Sequence, residues 1–283
     1  MSVIDSILEG CIDIHVHCAP DPFVERREDA LQLAYRAKQE RMRAIVLKSH
    51  HYPTATIAYM VNQIVGEVQI IGSITLNREV GGLNPYAVEA QARLGAKMVW
   101  MPTLNSIPDM ARRGEKGISL LDEAGELVSQ VRAILEIAKT HRIVLGTGHI
   151  STAEVYALCE EVSKTGVKLT ITHPLVHPET TGYGNHISIQ EQKELVGKGA
   201  IIEHSYVSCM PFMERTDPMV IANAVRAVGV EHCILSTDFG QSYNPPAVEG
   251  ARMMIAAMLK CGLSQQEVEA LVKRNPARLL DLD

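Results

Sequence analysis

A chain of 283 residues, 46% hydrophobic and 21% charged, can bury a sizeable core, which excludes disordered and fibrous classes and fits a single barrel-sized domain of roughly 250 residues. A net charge of −6 with no basic stripe argues against nucleic acid as a partner. No apolar run approaches the ~18 residues that span a bilayer, the first residues lack a cationic leader pattern, and the six cysteines show no CxxC spacing, so no membrane partner, reduced thiols and a cytoplasmic location are expected.

Short Val/Ile/Leu-rich runs recur at residues 11–17, 43–49, 68–75, 97–103, 143–148, 168–173, 200–205 and 232–238. Near-continuous apolar runs of this length suit strands buried on both faces, as in parallel sheets. Amphipathic segments lie between them: Leu31, Leu33, Ala34 and Ala37 fall on one helical face, as do Val128, Val131, Leu135 and Ala138. Gly66, Gly95, Gly166, Gly199 and Gly229 separate helix from following strand, where a left-handed residue turns the chain back. Ser151–Glu154 and Ser188–Glu191 read as capping boxes, and Asp217 caps a helix that opens with Pro218. Eight such strand–helix units close most naturally into an α/β (β/α)8 TIM barrel, one catalytic domain over residues 1–283. A doubly wound sheet is the rival, but no glycine-rich phosphate loop follows the first strand.

One connection is long. Residues 104–126, after the fourth strand, carry Pro108, Gly114, Gly117 and Gly125 with little periodicity, as a segment folded over a site or a floppy insertion would. The tail predicts a C-terminal helix at about 264–274, opened by Ser264 and Glu267, then a closing turn from Asn275.

Active sites of such barrels form at the carboxyl ends of the strands. His15 and His17 end the first strand two residues apart, so both rings face the barrel axis, where a bound metal offsets the cost of burying them. His149 ends the fifth strand, His173 the sixth and Asp238 the eighth, placing four imidazoles and one carboxylate on one rim. Asp13 has the parity of His15 and His17 and is a candidate for fixing a histidine tautomer, or else a buried structural acid. Of Glu203 and His204 only one can face inward, and His204 is kept as a candidate substrate contact. His50, His51, His177 and His186 lie at or beyond strand ends without a distinguishing signal, and Trp100 reads as packing under the long connection.

Asp13-Ile-His15-Val-His17, His149, His173 and Asp238 together resemble the metal-ligand pattern of the amidohydrolase superfamily, and Asn275-Pro-Ala-Arg-Leu-Leu280 resembles that superfamily's usual ending. With fourteen residues before His15, the chain is similar to the sandwich-free branch, the phosphotriesterase-like and TatD-like hydrolases. It departs from binuclear members in having no bridging lysine or glutamate at the end of the fourth strand. Lys48 instead ends the second strand, where it is a carbamylated metal bridge, an ammonium that binds substrate, or a snorkelling rim residue.

The resemblance implies one or two divalent ions, with zinc expected, on His15, His17, His149, His173, Asp238 and a carbamylated Lys48. The expected activity is hydrolysis of a small-molecule ester, lactone, amide or phosphoester by metal-activated water. Asp238 acts as general base and then acid, and His173 as metal ligand or polarising group. The alternatives are a mononuclear decarboxylase or deaminase, a Schiff-base lyase using Lys48, and a non-catalytic metal-binding barrel. Arg26, Arg27, Arg78, Arg112, Arg113 and Arg215 follow strand ends and either grip an anionic substrate, Arg78 being the substrate candidate, or are solvated loop charges. Tyr183 and Tyr243 are placed to close over a ligand, and a homo-oligomer is compatible with the composition.

Overall fold

The computed structural model describes residues 2–282. Nine short strands run in parallel: β1 (Ile12–His17), β2 (Ala44–Lys48), β3 (Gln69–Ile71), β4 (Ser73–Thr75), β5 (Met98–Trp100), β6 (Val144–Gly146), β7 (Leu169–Thr172), β8 (Ile201–Ser205) and β9 (Cys233–Ser236). They pair in the orders β1-β2-β3 and β4 through β9. The predicted third strand is β3 plus β4, broken at Gly72, where a Cβ would fall on the backbone of Ala55. Thr54 and Ser73 bridge the break: Thr54 N donates to Ser73 O at 2.9 Å and Ser73 Oγ to Leu47 O at 2.5 Å. At the other seam Asp238 N donates to His15 O at 2.9 Å and His17 N to Phe239 O at 2.7 Å. These bonds complete the eight-unit TIM barrel read from the repeats.

The predicted caps form. Ser151–Glu154, Ser188–Glu191 and Ser264–Glu267 are reciprocal boxes, and the Asp217 side chain accepts from Met219 N. Gly95, Gly166, Gly199 and Gly229 take positive φ; Gly66 does not, and Glu67 (φ 74°) makes that turn instead. The predicted 264–274 helix is Gln265–Glu269 continued by a wider π turn over Ala270–Arg274, then a closing helix Asn275–Leu280.

Two apolar layers hold the barrel. The larger lies between strands and outer helices and includes Val16, Ile45 and Leu47. The smaller fills the lumen with Ile12, Ile14, Val46, Met98 and Ile234, and the closing helix seals it from below with Ala277, Leu279 and Leu280. Lys168 Nζ pins that helix by donating to the carbonyls of Arg278 and Leu279 at 2.6 and 2.9 Å. No helix among the described residues is long and apolar enough to cross a membrane.

Above the apolar plug the lumen turns polar, and the change begins at a bulge in β1. Ile12 and Asp13 pair with Ala44 and Ile45, but Val16 and His17 pair with Leu47 and Lys48, so β1 carries one extra residue between Asp13 and Val16. Ile14 faces the lumen plug, and His15 and His17 face the lumen too. The bulge reverses the parity that simple alternation assigns to Asp13. Its carboxylate accepts from Thr237 N (3.1 Å), Thr237 Oγ1 (2.5 Å) and His15 N (3.2 Å), not from an imidazole ring. Asp13 is the structural acid of the two readings, stapling β1 to the end of β9, and burial pushes its carboxyl up to about 6.

Candidate metal centre

His15 Nε2 and His17 Nε2 each lie 3.1 Å from one oxygen, Asp238 Oδ1. The three donor atoms sit within 4.8 Å of one another, and all three residues are buried. Asp238 reaches this point because it takes φ 54°, and His173 takes φ 31°; both values are unfavourable for residues with a Cβ and concentrate strain at the end of the barrel where the histidines meet.

His149 and His173 reach the same rim just outside that tight group. Their ring centroids are 5.0 Å apart, and His173 lies 6.2 Å from His15. The five predicted ligands are therefore brought together, three closely and two in the adjoining layer.

Carboxylates set the orientation of two rings. Glu203 Oε1 lies 2.7 Å from His15 Nδ1, and Asp109 Oδ2 lies 2.6 Å from His149 Nδ1. An Nδ1–H donated to each carboxylate places the ring's lone pair on Nε2, the nitrogen that would face an ion. Asp109 is held by Arg112 at 2.8 Å and by Gly184 N at 2.9 Å. It comes from a short helix, Ile107–Ala111, inside the long connection, which is thus an ordered part of the site. His17 Nδ1 and His173 Nδ1 are buried with no hydrogen-bond partner among the described residues. Imidazoles with fixed or unpartnered nitrogens around an ionised carboxylate are the donor set a divalent ion requires, and the residues fit one.

The electrostatics agree. Despite burial, His15 and His17 hold the Asp238 carboxyl well below its usual range, and Glu203 is lowered against burial by His15 and Ser236. Burial and Arg26 pull His17 down to about 3, and burial and His149 pull His173 down to about 3, so both rings are neutral. His15 moves the other way, since Asp238 and Glu203 together outweigh burial.

Lys48 is 1% exposed, which removes the snorkelling reading. Its Nζ lies 2.9 Å from His15 Nε2 and 5.0 Å over the Trp100 ring, and burial lowers it to about 8. Trp100 is not packed beneath the long connection; it lies in the lumen, where Gly146 supplies the room its ring needs.

Two predicted substrate contacts fall elsewhere. His204 is on the outward side of β8 because Glu203 takes the inward position, and it borders a small void shared with His173, Leu175 and Ile221. Arg78 points away from the site, donating to Lys116 O at 2.5 Å and facing Glu115 at 3.5 Å. Sequence reasoning named Glu203 without choosing it and missed Asp109, which carries no signal beyond its place in a long connection. His50 proves to stack on His17 at 4.7 Å while its Nδ1 meets Thr103 Oγ1 at 2.8 Å.

A cavity of about 520 Å³ opens over His17, Lys48, His149 and Asp238, the size of a small-metabolite site. Tyr183 and Tyr243 both line it.

The fold is the (β/α)8 barrel, and solved structures share it over nearly the whole chain. The chain is similar to an amidohydrolase from Pseudomonas aeruginosa (14% identity, 99% of this chain and 98% of that one, TM-score 0.66). It is also similar to a protein assigned as a 2-pyrone-4,6-dicarboxylic acid hydrolase from Pseudomonas putida (17%, 97% and 98%, TM-score 0.62) and to a TatD homologue from Escherichia coli (12%, 98% and 100%, TM-score 0.58). Within that fold the chain belongs to DUF6282, a family of unknown function whose model matches residues 10–203. No curated protein matches the sequence.

Proposed function

We propose that the protein is a metal-dependent hydrolase acting on a small-molecule ester, lactone, amide or phosphoester. The convergence of His15, His17 and Asp238 on one point carries the reading, with His149 and His173 beside it. Zinc is the proposed ion, because neutral imidazole and carboxylate suit it, and the cytoplasm the proposed setting, where the six free cysteines stay reduced. A divalent ion in such a site lowers the pKa of water from 15.7 towards about 7. The protein's own part is positional and acid–base. His15 and His17 would hold the ion, Glu203 and Asp109 keep the His15 and His149 rings in register, and Asp238 Oδ2, which neither His15 nor His17 engages, would take the proton of the attacking water and return it to the leaving group. Lys48 must release His15 Nε2 for an ion to be held there, as a neutral amine or after carbamylation, and the second would raise the count to two ions.

Elemental analysis of protein purified without added metal, followed by ester, lactone, amide and phosphoester panels before and after chelation, tests the reading. A divalent ion bound and turnover lost on chelation are expected; turnover that survives complete metal removal would sink it. One observation favours a second reading: the buried Lys48 amine, lowered to about 8 and lining the cavity, is suited to Schiff-base chemistry. Borohydride inactivation in the presence of a carbonyl substrate, indifferent to chelators, would select it.

A further inference from the structure

The cavity over the metal centre has two unlike walls. The connections after β8, β9 and β1 contribute Met213, Tyr243, Phe23 and Val24. Tyr243 is braced edge-on by Phe212 at 5.5 Å, and its hydroxyl donates to Met213 Sδ at 3.3 Å; Phe23 stands edge-on to His51 at 4.6 Å. Yet Phe23 and Phe212 are each 72% exposed and Tyr243 52%. Clustered large apolar side chains at the rim of a deep polar pocket mark a surface that a ligand covers.

Across the cavity, the connection after β5 contributes Asn105 and Arg113. Two other arginines near the mouth are already committed, Arg112 beside Arg113 to Asp109 at 2.8 Å and Arg26, on the opposite wall with Phe23 and Val24, to Asp21 at 2.6 Å. Arg113 makes no ion pair among the described residues, so its guanidinium is free to take a bidentate anion. The other charges of the lining leave this polarity in place. Glu79 faces His51 at 3.3 Å, and on the other wall Glu25 follows Val24, where the charge of Arg26 is already answered by Asp21.

We infer that the cavity takes an amphiphilic carboxylate, its aryl or acyl body against Phe23, Tyr243 and Met213 and its carboxylate on Arg113. That the bond between these two ends is presented to Asp238 rests on the hydrolytic reading; the binding itself does not.

Calorimetric titration of the full-length protein with 4-phenylbutyrate, butyrate and 4-phenyl-1-butanol tests the assignment. The phenylbutyrate should bind at least about tenfold tighter than either fragment, since it alone engages both walls. Arg113→Met should bring it to the affinity of the alcohol, and Phe23→Ser combined with Tyr243→Ser to that of butyrate; these are rim side chains, so the fold is not at stake. Equal affinity for butyrate and phenylbutyrate, no detectable binding, or an affinity untouched by Arg113→Met would overturn the inference. So would binding that chelation abolishes and Arg113→Met spares, because the carboxylate would then sit on the ion. Absence of turnover on the ester panel with the probes binding as expected would instead remove the hydrolytic reading and leave this one standing.

Discussion

The two halves of one lumen differ sharply. Below, Ile12, Ile14, Val46, Met98 and Ile234 meet the closing helix in an apolar plug. Above, the same strands present His15, Lys48 and Glu203, all buried and all polar. The lower half lowers the free energy of the fold by hiding apolar surface. The upper half costs folding free energy, through buried ionisable groups and two residues at strained φ, and that cost is the signature of a site built to bind something. The border is marked by Trp100 and by the β1 bulge, which turn a continuous strand from packing to chemistry within a single residue.

The contrast can be broken at either end. Asp238→Asn should have the largest effect, a loss of turnover of about a hundred- to ten-thousandfold with melting temperature little changed. A variant that retains more than a tenth of the wild-type rate would remove Asp238 from its acid–base role. At the opposite end, Leu280→Ala should cost about 2–5 kcal/mol in chemical unfolding yet leave ion content intact, as expected of a plug residue. Loss of the ion with little loss of stability would show that the halves are not separable. Glu203→Gln and Asp109→Asn should each weaken ion affinity by about 10–100-fold, measured by competition with a chromogenic chelator. At the border, Gly146→Ala puts a methyl on the Trp100 ring and should destabilise by about 1–3 kcal/mol. Its informative readout is the near-ultraviolet circular dichroism of the chain's one tryptophan, which should change.

The smallest effect expected is on pH dependence. His17 and His173 titrate near 3 in the fold against an ordinary value of 6.5, so on acidification the unfolded chain binds their protons first. Their contribution to stability is full above about 6.5 and is lost as pH falls towards 3. Asp13 and His15 are raised and act in the opposite sense, but His17 and His173, with His50 and His204 lowered in the same direction, outweigh them. Thermal melts of chelator-treated protein between about pH 7.5 and 5 should therefore show a falling melting temperature. A flat or rising profile would mean that these rings are not held neutral.

Much of the site is legible because a barrel projects strand ends onto one rim. His15, His17, His149, His173 and Asp238 all end runs of apolar residues, so reading the runs reads the rim. Asp109 escapes that logic: it lies in a connection with no period, and only the folded backbone brings it 2.6 Å from His149. The choice between Glu203 and His204 escapes it as well. Two adjacent polar residues on a strand give no internal phase, and the pairing of Glu203 with Ile234 sets which one faces the lumen. Arg78 follows its strand as its position implies and still points away, because a carbonyl and a carboxylate of the long connection hold it.

The amino-acid order alone determined the number of strand–helix units, most of their caps and the five strand-end side chains His15, His17, His149, His173 and Asp238, because hydrophobic period and capping chemistry are local properties of the chain. Tertiary structure alone decided which nitrogen of each histidine is tied, that Lys48 is buried against His15, and that Asp13 staples strands instead of orienting a ring. Those outcomes depend on distances between residues remote in sequence and on one extra residue in β1, and neither leaves a mark in local composition.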